Sequence, residues 1–287
     1  MTLETLLEKS KKYIQKKIKY IPDFGIILLG YQFNELIEEI KNPIDISYEE
    51  IPDLKEKKIY VKFIFGKIEE KKVVFFIPLY SFYEENGNNH FPILLFKKMR
   101  VNKLILINIS GSVNPNYKIG DIMLVKDHIN FFPESYEMKK ILENNRFFGI
   151  TETYDQKMLE IAENIAMNHN IIIQKGVYVA FPYPNYKTTA EYAMIRSIGG
   201  DSVGMNIVPY VITAKWMNLR VFSISIMVGL GEEQEHNKKG SYNWMTSFFQ
   251  ETANSIPILI LMVKEFIKYY DNFSIIFLVI FSKIFFI

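Results

Sequence analysis

Five short, mostly apolar runs, at 24–30, 72–77, 103–109, 176–181 and 221–227, punctuate the chain, and most lack the apolar-polar alternation of a strand with one face in water. A run of that kind reads as a strand covered on both faces, which is what a parallel sheet requires. Helical patterns lie among them at 91–99, 156–168, 189–198 and 208–217, each long enough for a crossover between parallel strands. Before the first run, Leu6, Leu7, Ile14 and Ile18 recur at helical spacing among Lys and Glu, as on a surface helix with one buried stripe. The expected fold is therefore α/β: a single domain with a mixed, mainly parallel central sheet flanked by helices, not a sandwich. No internal repeat or linker rich in Pro, Gly or Ser divides the 287 residues, and 49% hydrophobic content suffices for one sizeable core. This domain is expected to span 1–270, with 271–287 as an apolar tail. The polar, weakly periodic stretch 133–153 reads as a long surface excursion.

Charge narrows the partners. With 34 basic and 32 acidic residues the formal charge is only +2, so no strong field draws in nucleic acid or anionic lipid. The absence of Cys removes disulfides and thiolate chemistry and fits a reducing cytoplasm. The opening residues Met1-Thr2-Leu3-Glu4 carry an acidic side chain and no apolar stretch before Lys9, unlike a secretory signal. His90, His128, His169 and His236 lie far apart without an i, i+4 pair, so no metal site is expected.

The motifs point further. Val203-Gly204-Met205-Asn206-Ile207-Val208-Pro209, continuing through Val211-Ile212 and Ala214 to Leu219-Arg220-Val221-Phe222, resembles the V-G-M-S-T-V-P-E-V-I-x-A-R-x-x-G-L-R-V segment of the trimeric purine nucleoside phosphorylases. Other blocks follow in the family's order. Gly25-Ile26-Ile27-Leu28 and Gly30 resemble its first strand and loop. Asn108, Gly111, Asn114-Pro115 and the run from Gly120-Asp121-Ile122 to Asp127-His128-Ile129-Asn130 resemble its central N-A-A-G…N-P…G-D-I-M-L block. Gly176-Val177-Tyr178-Val179, Pro184, Tyr186, Thr188 and Ala190-Glu191 resemble its G-x-Y-V…P-S-Y-E-T-x-A-E block.

The resemblance implies phosphorolysis, in which inorganic phosphate attacks the anomeric carbon of a purine nucleoside and frees base and ribose 1-phosphate. Phosphate is then a co-substrate and no cofactor is needed. A trimer is implied as well. Several polar positions of the family fall on other residues here. The loop Ser falls on Tyr31, the phosphate-binding Arg on Leu79 and its neighbouring His on Ser81. The purine-contacting Asn and Glu fall on Gly229 and Lys187, and the His that meets the ribose falls on Tyr242. The family's phosphate-binding Ser of G-M-S is Asn206. What the resemblance leaves as nucleoside lining is Tyr83, Tyr186, Val203 and Met205, with Asn108, Ile109, Glu84 and Asn206 as phosphate-side candidates.

Several of these have plainer readings. Met205 and Val203 also suit core residues at a strand end, Asn108 suits a residue that satisfies a tight turn before Gly111, and Lys187 suits a solvated surface lysine. Asp127 and His128 fall in a segment that is structural in the family and receive no chemistry.

Two functional readings stay open. One is a divergent nucleoside phosphorylase with a rebuilt site around Lys187, Ser81, Asn206 and Glu84. The other is an inactive relative, a pseudoenzyme that binds a nucleoside or base, or that partners an intact paralogue. Losing one preorganised donor at developing charge costs ~10²–10³ in rate, so residue chemistry favours the second and family membership the first.

The segment 272–287 departs from the family, being Phe, Ile, Leu and Val with Ser282-Lys283 near its end. As a helix its 15 or so residues reach only ~22 Å against a hydrocarbon core of ~30 Å, short of a transmembrane span. Covering a groove, lying in a membrane interface through 273–287 and pairing with another subunit all remain open, as does an extension of the reading frame through AT-rich sequence.

Overall fold

The apolar runs are strands, and their burial explains their composition. All six residues of β1 (Phe24–Leu29) are buried, as are the central four of β4 (Lys71–Ile77) and all but the first residue of β9 (Arg220–Val228). The structure, a computed structural model, describes residues 2–30, 33–54, 61–78, 90–133, 152–182, 187–229 and 250–271. Among these the remaining strands are β2 (Lys41–Ser47), β3 (Lys62–Ile68), β5 (Lys103–Ser112), β6 (Ile122–Asn130), β7 (Ile173–Ala180) and β8 (Ser202–Gly204). The helices are α1 (Leu3–Lys17), α2 (Asn34–Glu38), α3 (Phe91–Lys98), α4 (Gln156–Asn168), α5 (Thr189–Ser197), α6 (Ile207–Trp216) and α7 (Ile256–Tyr269).

The nine strands run in the order β2-β3-β4-β1-β5-β8-β7-β6-β9, and β9 pairs with β5 as well as β6. The strands β5, β8, β7, β6 and β9 therefore close into a ring, with β2, β3, β4 and β1 extending from β5 as an open wing. Pairs β1–β4, β1–β5, β5–β9, β6–β7 and β7–β8 are parallel, while β2–β3, β3–β4, β5–β8 and β6–β9 are antiparallel. The sheet is mixed and mainly parallel, as the apolar runs predict. Ring closure goes beyond them, because it depends on β8, which has three residues, and on β6, whose outer half is largely exposed. β2 also escapes a reading by apolar runs, since Ile46 is its one buried residue.

Local chemistry sets the helix starts. The Thr2 hydroxyl accepts from the Thr5 amide at 3.2 Å to open α1, whose first turn carries Glu4 and last turn Lys16 and Lys17, matching the helix dipole. α4 opens on Asp155, whose Oδ1 accepts from the Met158 amide at 2.9 Å. The same carboxylate takes Arg220 Nε at 2.5 Å and a terminal guanidinium nitrogen at 2.9 Å, tying the start of α4 to the start of β9. Burial alone would raise the Asp155 carboxyl, but the Arg220 guanidinium and the helix amide outweigh it and hold the pKa below the usual Asp value. α5 opens on a reciprocal cap, Thr188 Oγ1 accepting from the Glu191 amide and Glu191 Oε2 from the Thr188 amide.

One core joins the inner faces of the helices to both faces of the sheet. A smaller cluster, Val113, Val179, Tyr192 and Ile195, seats α5 on the ring. Of the stretch 133–153 read as an excursion, 134–151 lies outside the described residues.

Candidate functional site

Ligands of α/β sheets bind outside the carboxyl ends of parallel strands. Here the ends of β5, β7 and β9 meet the amino end of α6. Asn108 lies in β5 and is fully buried. Its Nδ2 donates to the Ile109 carbonyl at 2.9 Å and to Asn206 Oδ1 at 3.4 Å, while its own Oδ1 is buried without a hydrogen-bond partner among the described residues. The expectation that Asn108 satisfies a tight turn before Gly111 is corrected. β5 runs straight on to Ser112, with Gly111 paired to Val203 of β8 and to Val228 of β9. Ile109, its neighbour on the opposite face of β5, is half-buried.

The turn from β8 into α6 carries Val203, Gly204, Met205 and Asn206. Val203 and Met205 are half-buried, so neither is a closed core residue. Asn206 stands at the capping position of α6, yet its side chain makes no cap. It faces the sheet instead, where its Oδ1 accepts from the Tyr178 hydroxyl at 3.2 Å and from Asn108. The Asn206 amide in turn donates to the Tyr178 oxygen at 3.4 Å. Burial pushes the Tyr178 phenol well above the usual tyrosine range, partly offset by the backbone amides of Asn206 and Ile207, so this hydroxyl keeps its proton at any physiological pH. Gly204 is required for the approach, since a Cβ there would lie 2.1 Å from the Tyr178 oxygen.

At the end of β9, Gly229 offers only its backbone amide, which donates to Glu251 Oε2 at 2.7 Å. A side chain at 229 would start 3.3 Å from Ile119 Cδ1 and 3.7 Å from both Glu251 oxygens. Sequence reasoning did not find Glu251. It stands 22 residues downstream in no recognisable motif, and the carboxylate becomes visible only when the chain is folded.

Lys187 immediately precedes the α5 cap. Its amide donates to the Tyr192 hydroxyl at 3.2 Å, and its ammonium lies 5.1 Å from the centre of the Phe181 ring. Phe181 stacks on Phe131 at 4.7 Å with planes 8° apart. Burial lowers the Lys187 pKa, opposed by the nearby Glu191 carboxylate. Lys187 is thus a half-buried cation on an aromatic pair, which corrects its reading as a solvated surface lysine. The structure joins Asn108 to Asn206 and sets Val203 and Met205 on the same strand-to-helix turn, while Ile109 lies on the opposite face of β5 from Asn108. Ser81, Tyr83, Glu84, Tyr186 and Tyr242 lie outside the described residues, as do Tyr31 and Leu79.

Behind this turn, His128 Nδ1 and the hydroxyl of the buried Tyr154 are 3.2 Å apart, and burial lowers the His128 pKa against the pull of Asp127. That pairing is a structural contact between β6 and the lead-in to α4. Among the described residues no cluster of three or more His, Asp or Glu side chains suits a metal ion.

Comparison with known proteins decides the family. The model of the phosphorylase superfamily matches residues 26–261, from within β1 into α7. Purine nucleoside phosphorylase 1 of Bacillus subtilis is 34% identical over 229 residues, covering 76% of this chain and 83% of that protein. The chain belongs to the phosphorylase superfamily. Within it, the purine nucleoside phosphorylase of Bos taurus is 31% identical over 232 residues, covering 77% of this chain and 80% of the bovine one. Among solved structures, isoform 2 of the Schistosoma mansoni purine nucleoside phosphorylase, in complex with cytosine and ribose-1-phosphate, superposes with a TM-score of 0.79. It shares 26% identity over 92% of this chain and 96% of that one. A Schistosoma enzyme in complex with hypoxanthine gives 0.78 at 25% identity, covering 93% and 98%. Superfamily membership thus joins the strand-end geometry, and the sequence motifs that carry the resemblance lie on the elements that build the site.

Proposed function

We propose that this superfamily member binds a purine nucleoside or its free base at the carboxyl ends of β5, β7 and β9. Inorganic phosphate is the co-substrate of any phosphorolysis there, and turnover is far below that of an orthodox phosphorylase. The observation that carries this reading is Gly229. By resemblance, a phosphorylase presents an Asn side chain to the purine at this position. Here there is no side chain, and the backbone amide is held by Glu251. The transition state of phosphorolysis puts negative charge on the departing base, which needs hydrogen-bond donors, and a carboxylate at that place is an acceptor only. Lys187 stands where the family has its purine-contacting Glu. One lost donor at developing charge costs ~10²–10³ in rate.

The phosphate side is reduced in a parallel way. Asn206 stands at the family's Ser, and its side chain is turned to Tyr178 and Asn108. In the first turn of α6 the Ile207 amide is turned to the Tyr178 oxygen and Pro209 has no amide, which leaves the Val208 amide as the backbone donor for an anion there. Val203 and Met205, half-buried on the turn, offer apolar surface of the kind a nucleoside contacts. By the same resemblance the chain assembles as a trimer, alone or with an intact paralogue.

The test is chromatographic detection of base released from a panel of purine nucleosides, with and without phosphate, alongside calorimetric titration with the same nucleosides. The expected result is binding with base release at least ~10²-fold slower than a Bacillus phosphorylase run in parallel. Phosphate-dependent release at the relative's rate would overturn the impaired reading. No binding of any nucleoside or base by the folded protein would overturn the site itself and favour a structural partner role.

A further inference from the structure

The end of β9 carries a group for which phosphorolysis has no use. Gly229 follows the last residue of the strand, and its amide donates to Glu251 Oε2 at 2.7 Å. The point that a Cβ on Gly229 would occupy lies 3.7 Å from each Glu251 oxygen and 3.3 Å from Ile119 Cδ1. A carboxylate and an apolar side chain thus flank one small space, and Ile119 is 52% exposed. Backbone contacts tie both flanks to the strand. The Gly120 amide donates to the Met227 carbonyl and the Met227 amide to the Asp121 carbonyl, each at 2.8 Å, which laces the turn 119–121 to the end of β9. Gly120 takes φ +86°, and its carbonyl accepts from the Ser255 hydroxyl at 2.5 Å. A Cβ at 120 would lie 3.5 Å from the Glu251 carbonyl oxygen, so the Glu251–Ser255 stretch rests directly on that turn. Strand end, turn and carboxylate are held in one arrangement.

Resting on the reading that a purine reaches Gly229, we propose that this arrangement selects purines bearing an exocyclic amino group, with Glu251 as the specificity-determining residue. An ionised carboxylate only accepts hydrogen bonds, and its two oxygens take several donors at once. An amino N–H of the base therefore joins the partners that Glu251 already has, the Gly229 amide among them. A base that turns a carbonyl oxygen to the same place, as hypoxanthine does, sets acceptor against acceptor, a mismatch that costs more than a missing contact. Ile119 fits the face of an aromatic ring, which a hydrated cation would leave uncovered. The carboxylate acts on the intact base, before charge develops on it, so it strengthens binding without helping the glycosidic bond to break. Selective binding and slow turnover then share one cause.

The experiment is calorimetric titration of the full chain with adenosine, guanosine and inosine, of which inosine alone lacks an exocyclic amino group. Glu251→Gln and Ile119→Ala variants are run beside it, both checked for folding by circular dichroism. The nucleoside whose amino group meets Glu251, adenosine or guanosine, should bind at least about tenfold tighter than inosine, the effect of one hydrogen bond to a charged group. Glu251→Gln keeps the side-chain length and an oxygen for the Gly229 amide, and should cut that ratio to about threefold or less. Ile119→Ala, at an exposed position, should weaken all three nucleosides about threefold and leave the ratio unchanged. Inosine binding as tightly as the amino nucleosides, or a ratio that survives Glu251→Gln, would overturn this inference while leaving nucleoside binding in place. Ile119→Ala without effect would remove the base from this end of β9. Failure of all three nucleosides to bind the folded protein would defeat the proposed function and this inference with it.

Discussion

Tyr178 and Asn206 hold each other by two hydrogen bonds, the phenol donating to Asn206 Oδ1 at 3.2 Å and accepting from the Asn206 amide at 3.4 Å. This pair fixes the turn on which Met205 and the start of α6 depend. Replacing Tyr178 by Phe removes both bonds and leaves a buried amide with fewer partners, a loss of about 1–3 kcal/mol. Urea unfolding should show that loss, and calorimetry should show weaker nucleoside binding. Unchanged binding would mean that the Asn206 turn does not shape the site.

Gly204→Ala tests the same contact by crowding it. The added Cβ would meet the Tyr178 oxygen at 2.1 Å and its ring carbon at 2.7 Å, so overpacking should cost about 1–3 kcal/mol. Combining it with Tyr178→Phe removes the nearer atom, and the double variant should lose less stability than the two single losses added together. Strict additivity would show that the strain lies elsewhere.

Gly229→Asn is expected to fold. The nearest atom to the new Cβ is a methyl group at 3.3 Å, which a small side-chain rotation relieves, so stability should change by less than about 1 kcal/mol. The amide it introduces supplies a donor at the base end, where one hydrogen bond should tighten purine binding by about threefold to tenfold. Titration with hypoxanthine reads this out. No gain would place the Glu251 carboxylate, rather than the missing side chain, as the obstacle.

His90 gives the fold an acid limit. Its ring is buried, Nδ1 lies 2.5 Å from Thr213 Oγ1, and burial lowers its pKa from 6.5 to about 4. Between these values the unfolded chain takes up a proton that the folded chain refuses. Stability is therefore full above about pH 6.5 and falls as pH drops towards about 4, by about 1.4 kcal/mol per pH unit. The half-buried His128, also lowered by burial, acts in the same direction. Asp155, held below its usual value, adds a loss only at still lower pH, once its carboxylate is protonated away from Arg220. Urea midpoints across this range should slope less for His90→Gln than for the parent chain, and equal slopes would remove His90 from the account.

Much of the framework was legible because period and burial coincide. β1, β9 and the inner parts of β4, β5 and β7 are buried on both faces, so they read as mostly apolar runs, and α4 and α5 keep a polar face. β2 failed to read because it is mostly exposed, and β8 because three residues carry no period. At the site, Asn108, Val203, Met205 and Asn206 were legible because they share a contiguous turn or sit beside it in register. Glu251 was not, because its role arises from a fold-made contact across 22 residues. The plain reading of Lys187 failed for a similar reason, since the Phe131–Phe181 pair beneath it joins residues 50 apart in the chain.

Among the described residues one strand has a single neighbour, β2, because closure of the ring supplies a second neighbour to every strand at the other end. That strand is poorly suited to recruit another chain. Pro43 has no amide to donate, the pairing with β3 slips between Lys41 and Ile44, and Lys41 and Asp45 put charge along the rim. Copies of this protein are therefore steered away from growing by edge-to-edge strand addition. Assembly falls to helix and loop surfaces, where shape and side chains select the partner, and the largest sheet of the molecule is kept from templating aggregation.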